Sequence, residues 1–282
     1  KTLEKNFNIK TFSKKELDIT DFNSMKNIID LVKPDIVINA AAYTSVDNAE
    51  KNPILTYKVN SEAPQNIAYL LEKSGGFLIH FSTDYVFNGK KKFPYLETDN
   101  PNPINVYGKS KLSGENKIKA YMHNYFILRT SWVIGTKGKN FVSKILLLSK
   151  NMDKIKVVKD QVGVPTSTKL ISKVVLEIII NLRSKRSFMP GIYNLVPKGK
   201  TNWFEIAKIV ISLAEQKNFK FKNNIPEILP ILTNEYPFLA ERPRNSLLDT
   251  KKISNILTFE LPQWQNDFLK DTQKIIDQLN ET

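Results

Sequence analysis

Three apolar runs constrain this chain most. Residues 35–41 (Asp-Ile-Val-Ile-Asn-Ala-Ala), 77–81 (Phe-Leu-Ile-His-Phe) and 126–132 (Phe-Ile-Leu-Arg-Thr-Ser-Trp) lack the polar alternation of a half-exposed strand. Such runs suit strands buried on both faces, as in parallel sheets covered by helices. The intervals between them have helical spacing. Met25, Ile28, Ile29 and Val32 mark a helix over 23–32; Ile54, Tyr57, Val59, Ala63, Ile67, Leu70 and Leu71 mark one over 53–73, stopped by Gly75-Gly76. Residues 106–121 and 141–149 read as further helices, and 7–12 as a short first strand. Strands alternating with helices of this length predict βαβ units, and so an α/β fold with a Rossmann-like doubly wound parallel sheet. Beyond about residue 155 the pattern loosens. Strands are expected at 155–158 and 191–196, helices at 170–182, 203–216 and 263–279, and an irregular Pro-rich wall at 225–244. The reading divides the chain into a domain over 1–154 and a smaller lobe over 155–282, with a soft, interleaved boundary.

Composition removes several functions. The 282 residues include no Cys and only two His, which excludes disulfides, thiolate metal sites, a Cys nucleophile and a His-rich metal centre. The net charge of +14 raises nucleic acid, a membrane surface or an anionic ligand as partners. The Lys residues are scattered, and the densest runs, 90–92 and 183–186, have no interleaved stacking aromatics, so no nucleic-acid partner is expected. The longest apolar stretch, around 174–182, is broken by Glu177 and is too short for a membrane span; no membrane partner is expected. The first residues, Lys1-Thr2-Leu3-Glu4, form no apolar leader, which makes the cytoplasm the expected location.

The sharpest chemical pattern is Thr83 with Tyr107-Gly108-Lys109-Ser110-Lys111. Residues four apart on a helix share a face, which aligns a phenol with an ammonium. A Lys cation beside a phenol is expected to lower its pKa from about 10 towards neutrality and make Tyr107 a usable proton donor. Thr83 ends a buried strand 24 residues earlier, where strand ends of a doubly wound sheet face the ligand crevice. Alone, Tyr-x-x-x-Lys also fits a surface tyrosine beside a solvated lysine. His80, inside a strand, reads as a packed core histidine, and His123 as a surface one.

With these residues on the page, the chain resembles the extended short-chain dehydrogenase/reductases and, within them, the dTDP-4-dehydrorhamnose reductases. The resemblance is carried by 17–21 (Leu-Asp-Ile-Thr-Asp), 34–44, Val59-Asn60, 82–89 (Ser-Thr-Asp-Tyr-Val-Phe-Asn-Gly), 103–111, 128–132 (Leu-Arg-Thr-Ser-Trp), 160–167 and 242–246, nearly the whole chain. It implies an NAD(P)-binding domain over 1–154 and a substrate-binding lobe after it. It implies an NADPH- or NADH-dependent reduction of the C4 ketone of dTDP-4-dehydro-L-rhamnose to dTDP-L-rhamnose. Asp18 and Ile19 would meet the adenine end of the dinucleotide, and Ala42, Tyr43 and Thr44 would line its cleft. Tyr107 would be the general acid. Lys111 would hold the nicotinamide ribose and tune Tyr107. Thr83 and Asp84 would contact the sugar, and Trp132 would cover the sugar or its diphosphate. Arg242 or Arg244 is a candidate for the diphosphate, and Lys10, Ser13, Lys14 and Lys15 for a cofactor 2′-phosphate. Members are often dimers, some with interfacial Mg2+; a homodimer and Mg2+ are carried as expectations without named ligands. Two alternatives stay open: another nucleotide-sugar 4-ketoreductase, epimerase or dehydratase, and a non-catalytic subunit resembling the regulatory subunit of methionine adenosyltransferase.

One departure stands out. The family's opening strand and Gly-x-x-Gly-x-x-Gly turn, which cradle the pyrophosphate, have no counterpart here. Residues 1–5 read as the end of the helix after that turn. In the order 3-2-1-4-5-6 the lost strand is central, and its loss would leave unpaired backbone inside the sheet. The expectation is therefore a natural protein with roughly 20 further residues, about one βα unit.

Overall fold

The computed structural model of the chain describes residues 7–184 and 189–281. The reading of residues 1–5 as a helix end, and part of the 183–186 charge run, lie outside them. The first half runs α1 (Phe22–Val32), β1 (Ile36–Asn39), α2 (Val46–Lys51), α3 (Pro53–Tyr57), a π-helical turn (Lys58–Glu62), α4 (Ala63–Ser74), β2 (Phe77–Thr83), a 3-10 turn (Asp84–Val86), α5 (Val106–Tyr121) and β3 (Tyr125–Thr130). Then come β4 (Val133–Ile134), α6 (Phe141–Ser149), β5 (Lys154–Val158), β6 (Val162–Gly163), β7 (Thr166–Ser167), α7 (Thr168–Arg183) and β8 (Gly191–Asn194). The chain ends with β9 (Thr201–Asn202), α8 (Trp203–Gln216), β10 (Glu227–Ile231), α9 (Lys251–Ser254) and α10 (Trp264–Asn280).

Local chemistry explains the boundaries. Asp21 caps α1 by accepting from the Asn23 and Ser24 amides, and Lys33 closes it in the left-handed region just before Pro34. Gly75 closes α4 in the same conformation (φ 73°). The single helix expected over 53–73 is interrupted by the π-helical turn, which re-aims Asn60 and Ser61 into the interior.

The strands β1-β2-β3-β8 form one parallel sheet in that order. Ile38 lies beside Ile79, Ile79 beside Phe126, and Leu128 beside Tyr193. One face packs on α1, α4 and α5 through Met25, Ile29, Ile67, Leu71 and Ile118. The other packs on α7 and α9 through Leu170, Val174, Ile178 and Ile253. The apolar runs are continuous because both faces are buried.

A separate core lies where α6, α8 and α10 surround β5, through Leu146, Ile155, Val157, Ile206, Val210, Phe268 and Ile276. The chain crosses between the cores: α6 precedes residue 155 and packs in this one, whereas α7 and β8 return to the sheet. No described helix is long and apolar enough to cross a membrane.

Two expectations are corrected. Residues 7–12 form no strand; nothing among the described residues pairs with them. In the described sheet β1 is the edge strand, with Ile38 exposed. The wall at 225–244 contains β10, which pairs in parallel with β5, Ile228 beside Ile155. Pro230 hid this strand, since proline reads as a break although an edge strand tolerates it.

Candidate active site

The carboxyl ends of β1, β2 and β3 and the first turns of α5 converge. Asn105 caps α5 by accepting from the Gly108 amide at 2.8 Å, while its amide nitrogen donates to the Glu241 carbonyl at 2.7 Å. Glu50 of α2 accepts from the Val106 amide at 2.8 Å. A Cβ on Gly108 would lie 2.2 Å from the Tyr85 carbonyl oxygen, so only glycine lets α5 press against the Asp84–Val86 turn. That approach sets the Tyr107 ring edge-on to Tyr85, with centroids 5.6 Å apart at 75°.

Thr83 and Asp84 are buried at the end of β2. The Thr83 hydroxyl donates to Asp84 Oδ1 at 3.0 Å and accepts from the Tyr85 amide at 3.2 Å. The Tyr107 phenol lies close enough to feel this group: beyond burial, the largest cause, Asp84 and Tyr85 both act to raise its pKa. Burial pushes the Asp84 carboxyl up to about 7. Its Oδ2 is buried and has no partner.

Lys111 is buried one turn beyond Tyr107, and its amine is held by β2. Nζ donates to the Phe81 carbonyl at 2.6 Å and lies 3.1 Å from His80 Nε2. Burial lowers Lys111 to about 8, against a smaller opposing pull from Glu115. The expectation that Lys111 lowers the Tyr107 pKa is corrected here. Burial, with Asp84 and Tyr85 nearby, raises the phenol well above its ordinary value, and Lys111 exerts no resolved pull on it. The Lys111 amine donates to the Phe81 carbonyl instead.

The other expected residues fall around this centre. Ala42, Tyr43 and Thr44 form the loop after β1, with Thr44 exposed. Asp18 is exposed in the turn before α1; its carboxylate accepts from the Thr20 amide at 2.9 Å and hydroxyl at 2.8 Å, which hold its pKa down. Ile19 is half-buried. Trp132 follows β3 in the left-handed region (φ 47°), stacked on Trp203 with centroids 3.8 Å apart; Phe141 backs Trp203 at 4.4 Å. A Cβ on Gly163 would lie 2.6 Å from the Trp132 ring, so that glycine admits the indole. Arg242 is engaged already: it donates to Asp47 at 2.6 Å and Tyr85 at 3.4 Å, and stacks on Phe238. Arg244, Lys10, Ser13, Lys14 and Lys15 are exposed. Among the described residues no group of three or more His, Cys, Asp or Glu is arranged to hold a metal ion.

Two groups escaped sequence reasoning. Asn60, buried in the π-helical turn, accepts from the Tyr43 amide at 2.8 Å and donates to the Tyr43 carbonyl and Ser110 hydroxyl, each at 3.0 Å. It fixes the 42–44 loop to α5. Arg129 and Glu115 form a buried two-pronged pair at 3.0 and 2.7 Å, with Ser82 donating to Glu115 at 2.5 Å. A polar residue inside an apolar strand or helix face was the available signal for both.

The chain matches the family described as RmlD substrate binding domain over residues 1–279. It is 37% identical over 248 residues to dTDP-4-dehydrorhamnose reductase of Escherichia coli (strain K12), covering 87% of this chain and 82% of that relative. It is similar to the structure of dTDP-4-dehydrorhamnose reductase from Bacillus anthracis str. Ames in complex with NADP, with 35% identity and a TM-score of 0.84 over 95% of this chain and 90% of that one. A Clostridium acetobutylicum dTDP-4-dehydrorhamnose reductase structure gives 34% identity and a TM-score of 0.86, covering 98% of this chain and 92% of that one. UDP-glucose 4-epimerase of Thermotoga maritima shares the fold alone, at 21% identity and a TM-score of 0.74. By sequence and by fold, this chain belongs to the RmlD substrate binding domain family.

Proposed function

We propose that this protein is an NAD(P)H-dependent oxidoreductase that reduces the C4 ketone of dTDP-4-dehydro-L-rhamnose to dTDP-L-rhamnose. The observation that carries this reading is the Thr83 hydroxyl donating to the buried Asp84 carboxyl at a strand end, beside Tyr107 edge-on to Tyr85, with one buried carboxyl oxygen left without a partner. Unmet buried hydrogen-bond capacity is costly unless a ligand meets it. The similarity to an NADP-bound reductase structure supports the same reading.

The residues fit a dinucleotide. The 42–44 loop stands at the carboxyl end of β1 with Thr44 open to solvent, and Lys111 brings an amine to the floor beneath. Ala42, Tyr43, Thr44, Tyr107 and Lys111 would hold the nicotinamide half, and Asp18 and Ile19 the adenine half. When bound, the reduced nicotinamide supplies the hydride to C4. Tyr107 gives its phenolic proton to the C4 oxygen as negative charge develops there. Thr83 turns its hydroxyl from Asp84 to that oxygen, and Asp84 binds a sugar hydroxyl. The raised phenol pKa keeps Tyr107 protonated, the form a donor needs before transfer. Trp132, braced by Trp203, covers the sugar. The sheet domain serves the cofactor and the lobe beyond about residue 155 serves the nucleotide sugar. A homodimer remains the arrangement we propose for the assembly.

The test is product identification. The protein incubated with NADPH or NADH and dTDP-4-dehydro-L-rhamnose is expected to consume one reduced cofactor per dTDP-L-rhamnose formed. Cofactor oxidation with a different sugar product, or none from a folded protein, would overturn the reading.

A further inference from the structure

Thr130 ends β3 with a hydroxyl that has no partner. Its Oγ1 is buried and makes no hydrogen bond, and the residue is only 7% exposed. A threonine kept for shape alone could be valine, which fills nearly the same volume without burying a hydroxyl. The strand register places this hydroxyl. β2 and β3 run parallel, with Thr83 beside Thr130 on the last rung. Side chains alternate along a strand. Ser82 and Arg129 both turn to Glu115 of α5, whereas Phe81 and Leu128 pack in the core on the opposite face. Thr83 and Thr130 therefore share that opposite face at the carboxyl end, one strand spacing apart, about 4.8 Å. On the far side of Thr130 runs Leu195, whose amide donates to the Arg129 carbonyl at 2.7 Å and whose buried side chain offers no hydrogen bond. Thr83 is engaged elsewhere, donating to Asp84 and accepting from the Tyr85 amide.

We propose that Thr130 is a further contact for the sugar: its hydroxyl meets the C3 hydroxyl, on the carbon next to the ketone, while Thr83 meets the C4 oxygen. This rests on the reductase reading of the site. The chemistry of the substrate makes the assignment. Of the two carbons flanking C4, C5 carries a methyl group and the ring oxygen, and C3 carries a hydroxyl. A threonine hydroxyl both donates and accepts, which matches the second. Adjacent substituents of one ring are closer together than two strands, so threonines on neighbouring strands can each address one. Asp84, on the turn beyond Thr83, is left for another hydroxyl of the ring. A site built this way rejects a sugar without the C3 hydroxyl, because the buried Thr130 hydroxyl then stays unpaired.

The test compares Thr130→Val, which removes the hydroxyl and keeps the branched shape, with Thr130→Ser, which keeps the hydroxyl. With NADPH and dTDP-4-dehydro-L-rhamnose, Thr130→Val is expected to lose about 5–20-fold in kcat/KM, and Thr130→Ser to retain most of it. The 3-deoxy analogue of that sugar is expected to react equally well with the parent and with Thr130→Val, and the KM for NADPH to stay unchanged. Since the hydroxyl is unmet in the free protein, Thr130→Val is expected to melt at or above the parent temperature. A hydroxyl that serves the fold would instead lower that temperature and slow both sugars alike. Parent-like kcat/KM in Thr130→Val, an equal loss on the 3-deoxy analogue, a loss confined to NADPH, or a Thr130→Val protein that melts lower or fails to fold would each overturn the proposal. A folded parent that reduces no dTDP-4-dehydro-L-rhamnose would overturn the functional reading, and this contact with it; a parent that does so while Thr130→Val matches it overturns the contact alone.

Discussion

Two buried polar regions lie on either side of Ser82–Thr83, and they differ in how fully their groups are paired. In the floor, Arg129 and Glu115 meet through two hydrogen bonds, Ser82 adds a third, and Asn39, His80 and Lys111 are linked in series. In the mouth, Thr83 and Asp84 are linked, but Asp84 Oδ2 is left over. Buried polar groups are almost always paired, so the floor behaves as structure and the mouth as a surface with capacity for a ligand. The difference teaches where to look for binding in a chain rich in buried polar residues. The informative group is the one without a partner, not the one with the most charge.

The comparison can be broken or sharpened by substitution. The largest effect is expected in the floor. Arg129→Met leaves Glu115 buried without its cation and should cost about 3–5 kcal/mol in denaturant unfolding, while Arg129→Met with Glu115→Met should recover most of it. An exposed-pair-sized loss in the single variant would mean that the floor is solvated. Next is Asp84. Its folded pKa, about 7, lies above its ordinary 3.8, so its contribution is full below about pH 4 and is lost as pH rises to about 7. Asp84→Asn should remove that slope. Measured as the wild-type minus variant difference between pH 4 and pH 8, the slope is on the order of 3–4 kcal/mol. A flat difference would place the carboxyl in water. The smallest effect is expected at the surface: removing the exposed Lys26–Asp30 pair by Lys26→Ala should change stability by roughly 0.5 kcal/mol or less, as read by thermal unfolding.

These regions were unequally legible in the sequence. The sheet strands and α5 stood out because burial on both faces leaves unbroken apolar runs, and α5 follows its Asn105 cap within a residue. Thr83 and Tyr107 were readable as a pair because a strand end and a helix start point to one crevice. The destination of the Lys111 amine was not readable. It depends on Phe81 and His80, 30 and 31 residues away, and no local spacing encodes them. The π-helical turn that seats Asn60 also left no trace, since its apolar residues continue the helical pattern of their neighbours. In the second lobe, β10 was hidden by Pro230, and the short strand 7–12 was overcalled because a strand needs a partner that local pattern does not supply.

The central claim is that Tyr107 donates the proton in the reduction. Tyr107→Phe keeps the ring that packs on Tyr85 and removes only the phenolic oxygen. Steady-state turnover of dTDP-4-dehydro-L-rhamnose with NADPH should fall by about 10²–10⁴-fold in kcat, with KM and thermal unfolding close to those of the parent. Turnover within a few-fold of the parent would contradict the account and move the proton donor elsewhere, to Asp84 first.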